Sequence, residues 1–183
     1  FWQKKSQAIE FKTADSDFNA WLRWVAIQPV LRRIFGNSFL PDHDYGKGGK
    51  GWRDLWQDLL SLILIEPEGV RENLINNFAG VRIDGSNATI IGASPGEFIA
   101  DRNSITRVWM DHGLWPFLTT SLYVDQTGDY DILLKENSYF RDPQLSRTFE
   151  KDLTWTPHYG PKLKTKKGKI YTGTILEHIL VQH

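Results

Sequence analysis

Residues Gly48 to Ile65, GGKGWRDLWQDLLSLILI, constrain the fold most: a glycine-rich lead runs into a segment whose first turns are polar and whose end is apolar. At about 100° per residue, Arg53, Gln57, Ser61, Asp54 and Asp58 fall on one side of a helix within about 140°, and Leu55, Leu59, Trp56 and Leu60 fill the other. One turn later the polar side carries Leu64 and Ile65, so the helix becomes hydrophobic all round, the pattern of a buried helix. The polar cluster then sits at the mouth of something buried. Charged groups taken out of water must be paired or hydrogen-bonded. The partners are either each other, as an internal Arg53–Asp58 salt-bridge network capping the helix, or a polyhydroxylated ligand.

At 183 residues with 40% hydrophobic content, the chain is long enough for one domain with a sizeable core. Basic and acidic residues balance at 22 each, which leaves no electrostatic footprint for nucleic acid. No apolar run approaches the roughly 20 residues of a membrane span, and Phe1 to Glu10 has no signal-peptide core. The absence of cysteine excludes disulfides and thiolate chemistry and permits a reducing compartment, so the default expectation is a cytoplasmic protein. Flat aromatic faces suit both large cores and the apolar faces of sugar rings, and core packing is the expected fate of most of the eight tryptophans. The chain begins at Phe1, has its sole methionine at Met110 and ends at His183 inside an amphipathic pattern. Residues 1–183 are therefore expected to be a piece of a larger domain.

In chain order, Ser16 or Asp17 is the expected N-cap of a helix over Phe18 to Phe35, with Trp21, Leu22, Val25, Leu31 and Ile34 as its apolar stripe, a kink at Pro29 and a stop at Gly36-Asn37. Phe39 to Gly51 reads as a loop that delivers Lys47 and Lys50 beside the polar face, and a glycine-rich lead of this kind can hold an anion on backbone N–H groups. It matches no Walker or dinucleotide fingerprint and no strand is expected before it, which argues against nucleotide binding. Pro67 to Phe78 reads as a second helix, making a helical hairpin. Val81 to Arg107 is a long mixed segment with turns at Asp84-Gly85 and Pro95-Gly96 and an apolar run from Ala88 to Ile91. Asn87-Ala88-Thr89 fits a glycosylation sequon that has no secretory context.

Val108 to Val124 reads as another helix, with Thr127-Gly128-Asp129 as its stop and Asp129 as the cap of a short following element. Phe140 to Lys169 is turn-rich. Its basic run Lys162 to Lys169 reads as solvated surface, and Trp155 to Gly160 as a loop that contacts ligand or plugs a gap. The last helix starts at Thr174. The five histidines lack the paired spacing of a zinc site, so no metal is expected. Without βαβ alternation the class is all-α, built from helical hairpins with long loops at one end.

The stretch Arg53-Asp54-Leu55-Trp56-Gln57-Asp58-Leu59-Leu60 resembles the R-D-x-x-Q-D-L motif of inverting glycoside phosphorylases of the cellobiose phosphorylase and β-1,3-glucan phosphorylase type. Asp17 to Trp21 resembles the helix before that family's glycine loop. Asp111-His112-Gly113-Leu114-Trp115 followed by Thr127-Gly128-Asp129 is similar to its D-D-x-x-W stretch and T-G-D turn, and Thr174 to His178, TILEH, to the helix before its catalytic segment. Order and spacing agree over about Ser16 to His183. The resemblance implies a partial (α/α)6 barrel, the N-terminal part of a single catalytic domain, with the general acid in a later segment beyond His183.

It also implies inverting phosphorolysis of a β-glucosidic bond in a glucan oligosaccharide, with inorganic phosphate as co-substrate, no metal or organic cofactor, and glucose 1-phosphate as product. Arg53 and Asp58 carry over as residues that hold the donor glucosyl hydroxyls, with Gln57 as a neighbour and Asp111 and Trp115 near the sugar. Better-known members place a phosphate-contacting arginine in the glycine loop, where this chain has Lys47 and Lys50. The alternatives are an inverting hydrolase on the same barrel and a non-catalytic carbohydrate-binding helical domain. The expected partners are a β-glucan oligosaccharide and phosphate, with neither nucleic acid nor membrane; a homodimer stays open.

Overall fold

The computed structural model describes residues 1–35, 50–88, 90–92, 94–99, 111–144 and 150–183. The described chain is mostly helical, with α1 (Trp2–Ser6), α2 (Ser16–Phe35), α3 (Trp52–Ile65), α4 (Val70–Phe78), α5 (Leu114–Thr127) and α6 (Ile175–Gln182). Strands β1 (Lys50–Gly51), β2 (Ile90–Ile91) and β3 (Phe98–Ile99) form one antiparallel sheet in that order, with Lys50 opposite Ile91 and Ile91 opposite Phe98. β4 (Glu136–Ser138) pairs with β5 (Thr172–Thr174), setting Asn137 opposite Gly173. The strand directly before α3 corrects the expectation of none there. The apolar run at Ile90–Ile91 supplies its partner, and Gly96 turns the hairpin with a positive φ of 73° that favours glycine. The expected stop at Gly36-Asn37, nearly all of the glycine loop including Lys47, and Val108 to Met110 lie outside the described residues.

Helix α3 is the centre of the molecule. It packs against α5 along its length and against α2 and α4. Trp52, Trp56, Leu59 and Leu62 are its buried face, with Trp56 wholly excluded from water. The rings continue beyond the helix: Trp52 meets Trp56 edge-on at 5.5 Å between centroids, Trp56 meets Phe78 of α4 at 4.9 Å, and Trp52 meets Phe98 of β3 at 6.0 Å. Such edge-to-face pairs add to area burial, because the positive ring edge faces the negative ring face. On the far side Phe78 meets His178 of α6, whose ring stacks flat on Tyr139 at 3.9 Å. Gly80 lies inside this aromatic layer, and a Cβ there would come within 2.6 Å of the Trp52 ring and 2.5 Å of Phe98. The end of α3 differs from expectation: Leu64 is 59% exposed, since no described element covers that side of the last turn.

Helix α2 begins at Ser16, two residues before the expected Phe18. Asp15 is the cap, its Oδ1 accepting from the N–H groups of Asp17 at 2.9 Å and Phe18 at 3.0 Å. Pro29 lies inside the helix. The expected apolar stripe is also corrected: Trp21, Val25 and Ile34 are exposed, whereas Ile27 and Val30 are the buried pair. Helix α2 packs against α3 and α1, and its first turns leave Phe18 and Trp21 stacked on each other at the surface. The last turn of α2 is tied to the end of α3 by charge. Glu66 takes Arg33 from α2 and Lys5 from α1. Burial pushes the Glu66 carboxyl up, but these two cations outweigh it and hold it below its usual range.

The second helix of the hairpin starts at Val70 and not at Pro67, because Gly69, at φ 77°, closes a turn first. Helix α5 starts at Leu114, after a turn over 111–113, and Gly128 ends it in the left-handed conformation at φ 70°, donating to Val124 O at 2.8 Å. Asp129 stands at the expected N-cap position of the 3-10 segment Tyr130–Leu134, but its side chain makes no cap hydrogen bond there. Its Oδ2 instead accepts from Arg71 Nε at 2.7 Å and Tyr123 Oη at 2.9 Å, and Arg71 holds the carboxyl below its usual range. Thr174 ends β5 and caps α6 in the same residue: its hydroxyl accepts from Glu177 N, and the Glu177 carboxylate accepts from Thr174 N. No described helix is long and apolar enough to cross a membrane.

The ring layer sets a contrast that denaturant unfolding measures. Trp56→Ala costs about 3–5 kcal/mol, whereas Trp21→Ala, at a ring 56% exposed, changes stability by no more than about 0.5 kcal/mol.

Candidate functional site

Trp52 and Arg53 are consecutive on α3, so one points into the core and the other lies about 100° round the helix, at its rim. Both reach the segment just before α5. Trp52 Nε1 donates to the backbone carbonyl of His112 at 3.0 Å inside the core, and Arg53 clasps the carboxylate of Asp111, with Nη2 to Oδ1 at 3.0 Å and Nε to Oδ2 at 2.9 Å. Nη2 donates the hydrogen bond of this ion pair, and Nε adds a close charge contact. Trp115 Nε1 donates to Asp111 Oδ2 at 3.0 Å. That bond first, and Arg53 with it, holds the Asp111 carboxyl below its usual range. The sequence-predicted Arg53, Asp111 and Trp115 are thus brought together in one cluster, with Arg53 and Asp111 each more than a third exposed.

Asp58 lies elsewhere on the helix and takes a partner that the sequence reading missed. Its side chain is 5% exposed, and Oδ1 accepts from Arg32 Nη1 of α2 at 3.0 Å. Among the described residues no Arg53–Asp58 bridge exists, which corrects the idea of a single internal network. The five-residue offset places the two side chains about 140° apart, and each pairs with a different neighbouring element. Gln57 sits half-buried, one turn beyond Arg53 on the same side. Lys47 is outside the described residues, and Lys50 is described only as the backbone of β1, paired with Ile91. No sequence signal pointed to Arg32, because it stands 26 residues from Asp58 and its neighbour Arg33 reads the same way.

The other sequence candidates have structural employment. Asn87 is buried, with its side-chain amide donating to Ala88 O at 2.7 Å and to His112 Nδ1 at 3.3 Å, so the sequon asparagine is enclosed. In the Trp155 to Gly160 loop, Tyr159 Oη accepts from Lys164 N at 3.0 Å and Tyr159 O from Lys164 Nζ at 2.6 Å. The tyrosine therefore anchors the lysine-rich hairpin, and Lys164 is half-buried while Lys166, Lys167 and Lys169 are exposed.

His112 lies directly behind the Asp111 cluster. Burial drops its imidazole from an ordinary 6.5 to about 4, and the Asn87 donor facing Nδ1 requires an unprotonated nitrogen there. A folded-state value below the unfolded one gives a stability contribution that is complete above about pH 6.5 and is lost as the pH falls toward 4. The full loss is on the order of 3 kcal/mol. Thermal melts between pH 8 and 4 are expected to show this decline, and His112→Gln, whose amide oxygen still accepts from Asn87, is expected to flatten it.

Comparison with known proteins bears on what such a cluster is for. The chain matches the family model described as glycosyl hydrolase 94 superfamily, catalytic domain, over residues 1–153, a span that contains α3, the Asp111 segment and α5. That family includes cellobiose and related glycoside phosphorylases and is a helical, barrel-type fold. No protein of curated function matches closely enough to narrow the assignment. The match spans both the Arg53–Asp111–Trp115 cluster and the Arg32–Asp58 pair, and the chain belongs to the glycosyl hydrolase 94 superfamily by its catalytic-domain sequence.

Proposed function

We propose that the chain is the N-terminal part of an (α/α)6-barrel catalytic domain that phosphorolyses β-glucosidic bonds of a glucan oligosaccharide with inversion. The observation that carries this reading is the pairing of Arg53 with Asp111 and Trp115: a guanidinium hydrogen-bonded through Nη2 to a carboxylate that the indole of Trp115 also holds, on a rigid helix, at a boundary between core and solvent. Sugar hydroxyls need donors and acceptors that are fixed before they arrive, because every side chain immobilised on binding subtracts from affinity. Arg53 supplies donors and Asp58 an acceptor for the donor glucosyl unit, with Gln57 beside them. Asp111, whose two oxygens already accept from Arg53 and Trp115, orients the arginine.

In the reaction a phosphate oxygen attacks the anomeric carbon from the face opposite the glycosidic oxygen. The C–O bond to the leaving sugar breaks as a general acid, placed by the family resemblance beyond His183, protonates that oxygen. The products are glucose 1-phosphate of inverted anomeric configuration and a shortened chain. Phosphate arrives anionic and asks for a positive, preorganised pocket, whereas an inverting hydrolase needs a second carboxylate to deprotonate water. Lys47 and Lys50, with the N–H groups of the glycine loop, are proposed to supply part of that positive charge, lysine acting as a point charge. Phosphate is then the co-substrate, with no metal or organic cofactor.

In the complete enzyme, Arg53→Ala and Asp58→Asn are each expected to weaken oligosaccharide binding by about tenfold, the equivalent of one charge-assisted hydrogen bond. Calorimetry of the folded variants checks this, and unchanged affinity would sink the sugar-site assignment. Across a phosphate titration, glucose 1-phosphate release is expected to follow phosphate while free glucose stays low. Replacing Lys47 and Lys50 together with alanine is expected to raise the phosphate requirement more than the sugar requirement. Equal glucose release at zero phosphate would make the enzyme a hydrolase.

A further inference from the structure

Asp58 is the carboxylate of α3 whose residue is buried, and among its contacts is Arg32 of α2, whose side chain is 40% exposed. That asymmetry is informative. Glu66 shows it too, at 9% against 27% for Arg33, while other ion pairs hide both partners. The Arg82–Asp142 pair in the same molecule is of this kind, with side chains 5% and 8% exposed. Arg32 instead is partly exposed, with Nη1 on Asp58 Oδ1. Its neighbour Arg33 turns to Glu66 and to the carbonyl of Glu68, so the two arginines of the last turn of α2 are divided between the middle and the end of α3.

From this geometry, and resting on the assignment of Asp58 to the sugar site, we infer that Arg32 is a positioning residue for the glycosyl site. It fixes the rotamer of Asp58 so that the carboxylate accepts sugar hydroxyls in one orientation. A carboxylate on a helix turns about two side-chain bonds, and a second contact from a different helix removes that freedom. Arg32 thereby acts on the ligand through Asp58, without touching the sugar.

The test uses the complete enzyme and a β-linked glucan oligosaccharide. Arg32→Met is expected to raise KM for the oligosaccharide, and its dissociation constant by calorimetry, by about tenfold, the size of one charge-assisted contact. The phosphate KM is expected to move little, and Arg32→Lys to recover part of the loss. The decisive variant is Asp58→Asn with Arg32→Met, which removes both charges and so leaves no buried carboxylate unpaired. If Arg32 works through Asp58, adding Arg32→Met to Asp58→Asn changes sugar affinity less than about twofold. A full additional loss in that background would overturn the inference, as would Arg32→Met with a lowered melting temperature and unaltered sugar affinity, the result of a purely structural pair. A wild-type enzyme that binds no β-linked oligosaccharide would instead remove the functional reading on which the inference stands.

Discussion

Everything in the molecule hangs on the burial of Trp52 and Trp56 one turn apart on α3. Their rings meet β3 on one side and α4 on the other, and through Phe78 the contact reaches His178 and Tyr139 in the last third of the chain. Fixing large, flat side chains costs little conformational entropy for the area they remove from water, since each has only two rotatable side-chain bonds. The layer also sets tolerances. A glycine is required at position 80, because any larger residue would drive into the Trp52 and Phe98 rings.

The candidate site inherits its rigidity from this core. The helix residue that anchors the layer, Trp52, also donates to the backbone of His112, and the next residue, Arg53, takes the side chain of Asp111 immediately before it. Two neighbouring residues on one helix therefore hold two neighbouring residues on another segment, one through the interior and one at the surface. A displacement of the Asp111 carboxylate would have to pull the His112 carbonyl off a buried indole N–H. In that environment an unmade hydrogen bond is costly, because no water replaces it. The same segment is held again by Asn87 against the His112 ring. The polar rim is thus preorganised by apolar packing a few ångströms behind it.

Much of this was legible from residue order. The contrast between the polar start and apolar end of Trp52 to Ile65 located the central helix, the glycines at 80, 85, 96 and 128 marked turns or helix ends, and the R-D-x-x-Q-D stretch singled out Arg53 and Asp58, which pair with Asp111 and Arg32. The failures share a cause. The stripe assigned to α2 placed Trp21 and Val25 inwards by period alone, but a helix buries only the face that a neighbour covers, and that neighbour is tertiary information. Arg32 escaped notice because a lone arginine gains meaning only from the carboxylate opposite it in space. Asp129, placed ideally for a cap, was drawn away by Arg71 and Tyr123, a stronger set of donors than one backbone N–H. The two-residue strand β1 lay below the length at which alternation is visible.

The junction of β5 with α6 has no connecting loop. Thr174 is at once the last ladder residue and the helix cap, and the next residue, Ile175, donates its N–H to Lys135 O in the adjoining strand's approach. Slack is therefore absent at this point of the chain. One residue more or fewer between the ladder and the helix would rotate every α6 side chain by about 100°, turning Ile175 and His178 out of the interior and bringing residues such as Leu176 or Glu177 toward it. Length variation in a chain of this fold thus has permitted and forbidden addresses. The tip at 165–168, a surface turn closed by Gly168, can lengthen without consequence for the interior, whereas the 173–175 step behaves like a gear tooth whose count must be kept.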